Sequence, residues 1–128
     1  MINTRKKILV VDDDLTSRRL MEKVIRSKWN CNVFQAEDGS EALKVMLREK
    51  PNLVVLDLVM PFMNGIQVLQ TMRKSVRLAK INVLACTAVG DNKVVKEILR
   101  LGVSDYIVKP VTKHLLIEKI CRILDCTN

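Results

Sequence analysis

Short apolar runs alternate with stretches of helical period along all 128 residues, and that alternation leaves few folds open. Ile8-Leu9-Val10-Val11 is apolar at every position, as a strand covered on both faces must be. From Leu15 to Lys28 the apolar residues Leu15, Leu20, Met21, Val24 and Ile25 keep helical spacing, with Asp14, Thr16 and Ser17 able to cap the start. Val33-Phe34 reads as a weak strand. Ser40 to Glu49 follows as a helix with Leu43, Met46 and Leu47 on one face. Leu53 to Leu56 is a second fully apolar strand, and Asn64-Gly65 opens a helix with Ile66, Leu69 and Met72 inward. Ile81 to Cys86 is a strand, followed by a helix carrying Val94, Val95, Ile98 and Leu99. Gly102 suits the position just past that helix. Tyr106-Ile107-Val108 is a short strand, and the last helix runs from about Thr112 to Leu124 with Leu116, Ile120, Ile123 and Leu124 inward. Five strands alternating with five helices predict a parallel sheet with helices on both faces.

Such a sheet places the carboxyl ends of its strands along one edge, where ligands of these folds bind. The polar residues that end the strands therefore carry the functional question. Strand one ends in Asp12-Asp13-Asp14, strand three in Asp57, strand four in Thr87 and strand five in Lys109, with Pro110 after it. Strand two ends in nothing chemical. Carboxylates, one hydroxyl and one ammonium on a single edge suit phosphoryl chemistry with a hard metal ion. Packed carboxylates repel, and a divalent cation relieves the repulsion. Mg2+ prefers oxygen ligands and keeps several waters. A lysine adds positive charge and a hydroxyl a hydrogen bond at phosphoryl oxygens. Asp57, single and central after a buried strand, is the natural nucleophile. Taken singly, each residue has an ordinary use: three acids can start a helix, Asp57 can open a turn, Thr87 can cap, and Lys109 can sit on the surface. Their joint occurrence at the ends of core strands carries the signal.

Taken together, these stretches resemble the receiver domain of bacterial two-component response regulators, the CheY-like group. The matching segments are Ile8 through Asp13, Ala36-Glu37-Asp38-Gly39, Leu56-Asp57 with Met60-Pro61 and Gly65, Thr87-Ala88, and Tyr106 through Pro110. The resemblance covers essentially the whole chain. It implies an α/β fold with one doubly wound, five-stranded parallel sheet in the order 2-1-3-4-5. It implies one receiver domain over residues 1–128, its core from about 6 to 125. Asp57 is then the phosphoacceptor. Asp12 and Asp13 hold Mg2+, or Mn2+ in its place, together with Asp57 and the backbone carbonyl of Val59. Thr87 contacts the phosphoryl group, Lys109 pairs with it, and Tyr106 is the aromatic residue that changes rotamer when Thr87 moves. The Lys109-Pro110 bond is expected to be cis. The implied partners are a sensor histidine kinase or phosphotransfer protein, and a downstream target at the face of the fourth helix, fifth strand and fifth helix. Lys93, Lys96 and Lys113 near that face suit an acidic partner. In the family, the positions two beyond the phosphoacceptor and two beyond the threonine tune phosphoryl loss. Here both are valine, Val59 and Val89, and neither can orient water, so a long-lived adduct is expected.

Two other readings compete. Asp12-x-Asp14-x-Thr16 also resembles the first motif of haloacid-dehalogenase-type phosphatases, with Asp12 as nucleophile and Asp14 as acid/base, but that leaves Asp57 unexplained. A binding module using the basic surface is the other. The formal net charge is +8, and a basic balance invites a nucleic-acid reading. No glycine-aromatic RNA motif or zinc finger accompanies it, so direct nucleic-acid binding is not expected. Arg73, Lys74, Arg77 and Lys80 fall in a stretch between Asp57 and Asp91 that holds no acid, and Arg18, Arg19, Lys23, Arg26 and Lys28 oppose only Glu22. These read as solvated surface. The lone histidine, His114, reads as a surface residue rather than a catalyst. Neither a signal peptide nor an apolar stretch of membrane-spanning length is visible, so a cytoplasmic location is expected and no membrane partner. Cys31, Cys86, Cys121 and Cys126 form no metal-binding spacing, and in the cytoplasm they are expected as thiols, with Cys86 a small buried hydrophobe.

Overall fold

The computed structural model describes residues 6–60, 63–88 and 92–124. Ten elements alternate along the chain: β1 (Lys7–Val11), α1 (Leu15–Lys28), β2 (Asn32–Ala36), α2 (Gly39–Glu49), β3 (Leu53–Asp57), α3 (Gly65–Lys74), β4 (Asn82–Thr87), α4 (Asn92–Arg100), β5 (Asp105–Val108) and α5 (Lys113–Ile123). The five strands form one parallel sheet in the order β2-β1-β3-β4-β5. This is the expected architecture. Pro61, Val89 and Cys126 lie outside the described residues, as do the outer ends of the chain.

Because side chains alternate across a strand, each apolar run supplies two cores at once. Leu9, Val11, Val54, Leu56, Val83 and Ala85 face a core closed by Met46, Leu69, Met72 and Ile98 from α2, α3 and α4. Ile8, Val10, Leu53, Val55, Leu84 and Cys86 face a second core closed by Met21, Ile25, Leu116 and Ile120 from α1 and α5. Full burial of each such aliphatic side chain contributes about 1.5–3 kcal/mol. The helices begin where the sequence provides caps. Asp14, Asp38, Asn64 and Thr112 each accept a backbone N–H of the first turn, and Asn64 and Gln67 form a reciprocal capping box. Gly102 closes α4 with φ +76°, a region closed to most side chains.

Several expectations change at the surface. Leu15 and Leu20 on α1, Leu47 on α2 and Leu99 on α4 keep helical spacing but face outward. Ala42 and Val45 on α2 and Val68 on α3 are buried in the core, although the spacing does not single them out. Cys31 and Cys86 are buried thiols, but Cys121 is disulfide-bonded, which corrects the expectation of thiols throughout. Cys121 lies on a partly exposed face of α5, where it is not sealed in the core as the other two are. Arg73 is not solvated surface either. Its guanidinium donates to the carbonyls of Leu101 (2.6 Å), Ala79 (2.8 Å), Gly102 (3.0 Å) and Ile81 (3.3 Å). It ties the end of α3 to the end of α4 and the entry of β4, and burial depresses its pKa. A cation there also suits the negative end of the α4 dipole.

Candidate functional site

The alternation that divides the cores also places the polar strand ends. Val10 and Val55 face the α1/α5 layer, and Asp12 and Asp57 continue the same parity one step further. Cys86 pairs with Asp57 across the sheet, and Thr87 with Val108. Backbone bonds run one residue past the strands and fix the rim. Asp12 N–H donates to Ala36 O (3.2 Å), Leu58 N–H to Cys86 O (3.0 Å) and Lys109 N–H to Thr87 O (2.7 Å).

The result is a group of three carboxylates. Asp12 and Asp57 are buried and Asp13 is exposed, and each offers an oxygen within 4.8 Å of the others. Lys109 reaches in from the end of β5, its Nζ 3.0 Å from Asp57 Oδ1. The Val59 N–H donates to the same oxygen at 3.2 Å. Thr87 is buried beside them at the end of β4. Tyr106, two residues before Val108 and paired with Ala85, is partly buried against the core closed by α2, α3 and α4. The Lys109-Pro110 peptide bond is cis. A cleft of about 230 Å³ opens next to the acids between α1 and the β5–α5 connection, lined by Asp12, Ser17, Leu20, Met21, Lys109 and Val111. Leu20, 59% exposed, forms part of its rim.

The electrostatics of this rim are unbalanced. Two carboxylate charges within 4.8 Å of one another repel by at least roughly 3 kcal/mol at an effective dielectric near 20. Burial holds the Asp12 carboxyl above its ordinary pKa; the Asp14 N–H opposes this, while the charges of Asp57 and Asp13 reinforce it. Burial pulls Lys109 down, yet its hydrogen bond to Asp57 and the Asp57 and Asp12 charges outweigh that and leave its pKa raised. Among the described residues one ammonium opposes three acids, an imbalance that a further cation would relieve. The donor set is oxygen throughout, with the Val59 carbonyl following Asp57, and this fits a hard divalent ion better than a soft one. The Cys86 thiol, beside Asp57 on the neighbouring strand, is pushed up to about 12 by burial, with the Asp57 charge adding, so it stays protonated.

The third acid of the first run goes elsewhere. Asp14 is exposed and caps α1, accepting from Ser17 N–H (3.1 Å) and Ser17 Oγ (2.7 Å). Those bonds lower its pKa, which ill suits an acid/base role and counts against the phosphatase reading. His114 is on the surface, 86% exposed beside Glu118 on α5. One contributor, Arg18, reads from the sequence as solvated surface, and a second, Gly65, is singled out there without the contact that it makes. Arg18 is 9% exposed and donates from Nη1 to the Asp12 carbonyl oxygen (2.8 Å) and from Nε to Gln35 Oε1 (3.0 Å). Gly65 abuts the Asp57–Leu58 backbone. The only signal for Arg18 lay in spacing, since it is one helical turn past the Asp14 cap.

Comparison with known proteins fits this geometry. A family model described as the response regulator receiver domain matches residues 8–121. The chemotaxis protein CheY of Pseudomonas aeruginosa is 37% identical over 122 residues, covering 95% of this chain and 98% of that protein. A protein named as transcriptional regulator ycf27 in Cyanophora paradoxa is 42% identical over 124 residues, covering 97% of this chain. The chain spans about half the length of that relative, 50%. The crystal structure of a response regulator receiver protein from Pseudomonas putida superposes with a TM-score of 0.84 at 26% identity, covering 94% of this chain and 99% of that one. Among the described residues no helix is long and apolar enough to cross a membrane.

Proposed function

The chain belongs to the response regulator receiver domain family, a family of signalling domains rather than metabolic enzymes, and from that premise we propose that Asp57 is its phosphoacceptor. Residues 1–128 act in this reading as one receiver domain that catalyses its own phosphorylation and dephosphorylation. The observation that carries it is the placement of Asp57. It is a 3% exposed carboxylate at the end of β3, grouped with two other acids and held by Lys109.

Asp57 needs no general base, because a carboxylate is already a nucleophile at neutral pH. Lys109 and the Val59 N–H both hold Oδ1, which leaves Oδ2 for the attack in this reading. A bond forms from a carboxylate oxygen to phosphorus as the P–N bond of a phosphohistidine breaks, the imidazole keeping the electron pair. The residues that would hold Mg2+, or Mn2+, are Asp13 and Asp57, Asp12 in part through water, and the Val59 carbonyl. When bound, that ion supplies the positive charge that offsets the acids and draws density from the phosphoryl oxygens. Lys109 then pairs with a phosphoryl oxygen, and the Thr87 hydroxyl donates to another. Tyr106 fills the space that Thr87 leaves, and the populations of two conformations shift. The partners are a sensor histidine kinase or phosphotransfer protein at the rim, and a target or output domain at α4, β5 and α5. There Leu99 and Val108 are exposed and Lys93, Lys96 and Lys113 point outward, which favours an acidic target. The reading places this exchange in the cytoplasm; the free thiols Cys31 and Cys86 agree with that and the Cys121 disulfide does not.

Intact-mass analysis after incubation with acetyl phosphate tests the assignment. One Mg2+-dependent phosphoryl adduct is expected on the wild type and none on Asp57→Asn. An adduct that persists in Asp57→Asn would move the nucleophile elsewhere, Asp12 being the rival. The lifetime of the adduct is a separate expectation. Val59 is 63% exposed beside Asp57 and offers no group to hold an attacking water. Val59→Asn restores one and is expected to speed loss of the phosphoryl group by roughly tenfold. Equal decay in both proteins would sink that idea.

A further inference from the structure

Arg18 is the least expected side chain near the acids: a guanidinium buried in the second turn of α1, six residues after Asp12. Its surroundings explain why it turns inward. The β1–β2 ladder ends as Asp12 N–H donates to Ala36 O, so β2 has no further N–H for the Asp12 carbonyl. That buried oxygen is satisfied by Arg18 Nη1 at 2.8 Å. Behind Arg18, Nε donates to Gln35 Oε1 at 3.0 Å, and Gln35 Nε2 donates to Glu22 Oε1 at 2.6 Å. Glu22 Oε2 is in turn held by Arg26 at 2.7 Å. Burial raises the pKa of Glu22, but the Gln35 and Arg26 hydrogen bonds outweigh it and keep the pKa low, so the chain ends on an ionised carboxylate. A planar guanidinium donating in two directions fixes the orientation of what it holds, which a lysine could not do.

The oxygen it holds belongs to the peptide that joins Asp12 to Asp13. Its plane sets where the Asp13 Cα–Cβ bond aims, and Asp14 N–H closes the same turn onto Asp12 Oδ1 at 2.9 Å. We propose that Arg18, braced by Gln35 and Glu22, is a positioning residue that sets the aim of the Asp12–Asp13 pair and through it the affinity of the acidic rim for a divalent cation. The proposal rests on the phosphoacceptor reading above, and deepens it by adding a support outside the strand ends. Outer residues that orient metal ligands typically change affinity by 10–100-fold when removed.

Calorimetric titration of Mg2+ into the apo protein tests it, alongside acetyl phosphate labelling as a function of Mg2+ concentration. Arg18→Met is expected to weaken Mg2+ binding about tenfold. The labelling rate should need correspondingly more Mg2+ but reach a plateau within about twofold of wild type, since no reacting group is touched. Arg18→Lys should fall between the two, because one ammonium cannot hold both the Asp12 carbonyl and Gln35. A purely structural role would lower the unfolding midpoint and leave the Mg2+ affinity unchanged; that outcome overturns the proposal. Should Arg18→Met fail to fold, Gln35→Leu carries the test, with a severalfold weaker Mg2+ affinity expected and an unchanged one fatal. A wild type that binds no Mg2+ would instead remove the phosphoacceptor reading and this proposal together, a result distinct from equal binding by wild type and variants.

Discussion

Alanine at position 65 is expected to cost about 2 kcal/mol of stability and to displace Asp57. Gly65 starts α3, and on propensity alone alanine should help there by nearly 1 kcal/mol. Space decides otherwise. A Cβ on Gly65 would lie 2.6 Å from Leu58 Cα and 2.7 Å from the Asp57 carbonyl oxygen. Both are backbone atoms, so no side-chain rotation relieves the contact, and the Gly65 N–H already ties this approach to Leu58 O at 3.0 Å. The strand end must move, and Asp57 sits on it. Urea unfolding should show the loss of stability, and acetyl phosphate labelling of the folded fraction should fall well beyond it. A Gly65→Ala protein as stable as wild type with full labelling would mean that the β3–α3 connection is far softer than its geometry implies.

The second large effect concerns Lys109. Without a divalent cation, Lys109→Met should lose about 2 kcal/mol at neutral pH. Breaking a fully buried ion pair by removing one partner costs about 3–5 kcal/mol, and the figure is reduced here because the Lys109 side chain is 34% exposed. What remains is Asp57 at the rim beside Asp12 with no cation between them. Saturating Mg2+ should close much of the gap, because it replaces the missing charge and adds binding energy to the folded state. The pH dependence has a definite sign. The folded pKa of Lys109 is raised above its ordinary 10.5. Its contribution is therefore fully present below about 10.5 and lost as pH rises through the raised value. The difference between wild type and Lys109→Met should hold from pH 6 to 9, roughly, and shrink in stronger base. A difference that persists unchanged in strong base would point to lost packing of the lysine stem instead.

The two arginines show where reading along the chain falls short. Arg18 and Arg73 each stand in a basic stretch and look like solvated charge. Each instead satisfies backbone carbonyls that secondary structure leaves unpaired, Arg18 at the end of β1 and Arg73 at the ends of α4 and the β4 entry. The partners lie far along the chain. Arg18 meets Gln35 17 residues on, and Arg73 meets Leu101 28 residues on. The leucines err in the opposite direction. Leu15 and Leu20 have the spacing of a buried face, yet the core takes Met21 and Ile25 fully and Val24 in part from α1, and Leu20 stays at the rim of the cleft. Asp14 has the same chemistry as Asp12 and Asp13, but its place at the first helical turn makes it a cap.

Local chemistry alone determined the strands, the helices and the residues that end each strand. A run such as Leu53 to Leu56, short, rich in valine and following Pro51, fits a covered strand, and the polar residue that follows it then emerges at the carboxyl edge. Asp12, Asp13, Asp57, Thr87 and Lys109 were legible for that reason. Tertiary structure decided which charges turn inward, which leucines stay outside, which acid leaves the cluster and how closely α3 presses on Asp57. Each of those outcomes depends on an unpaired carbonyl or a packed backbone contributed by another segment, and the energy of burying a group is set by the partner it finds there.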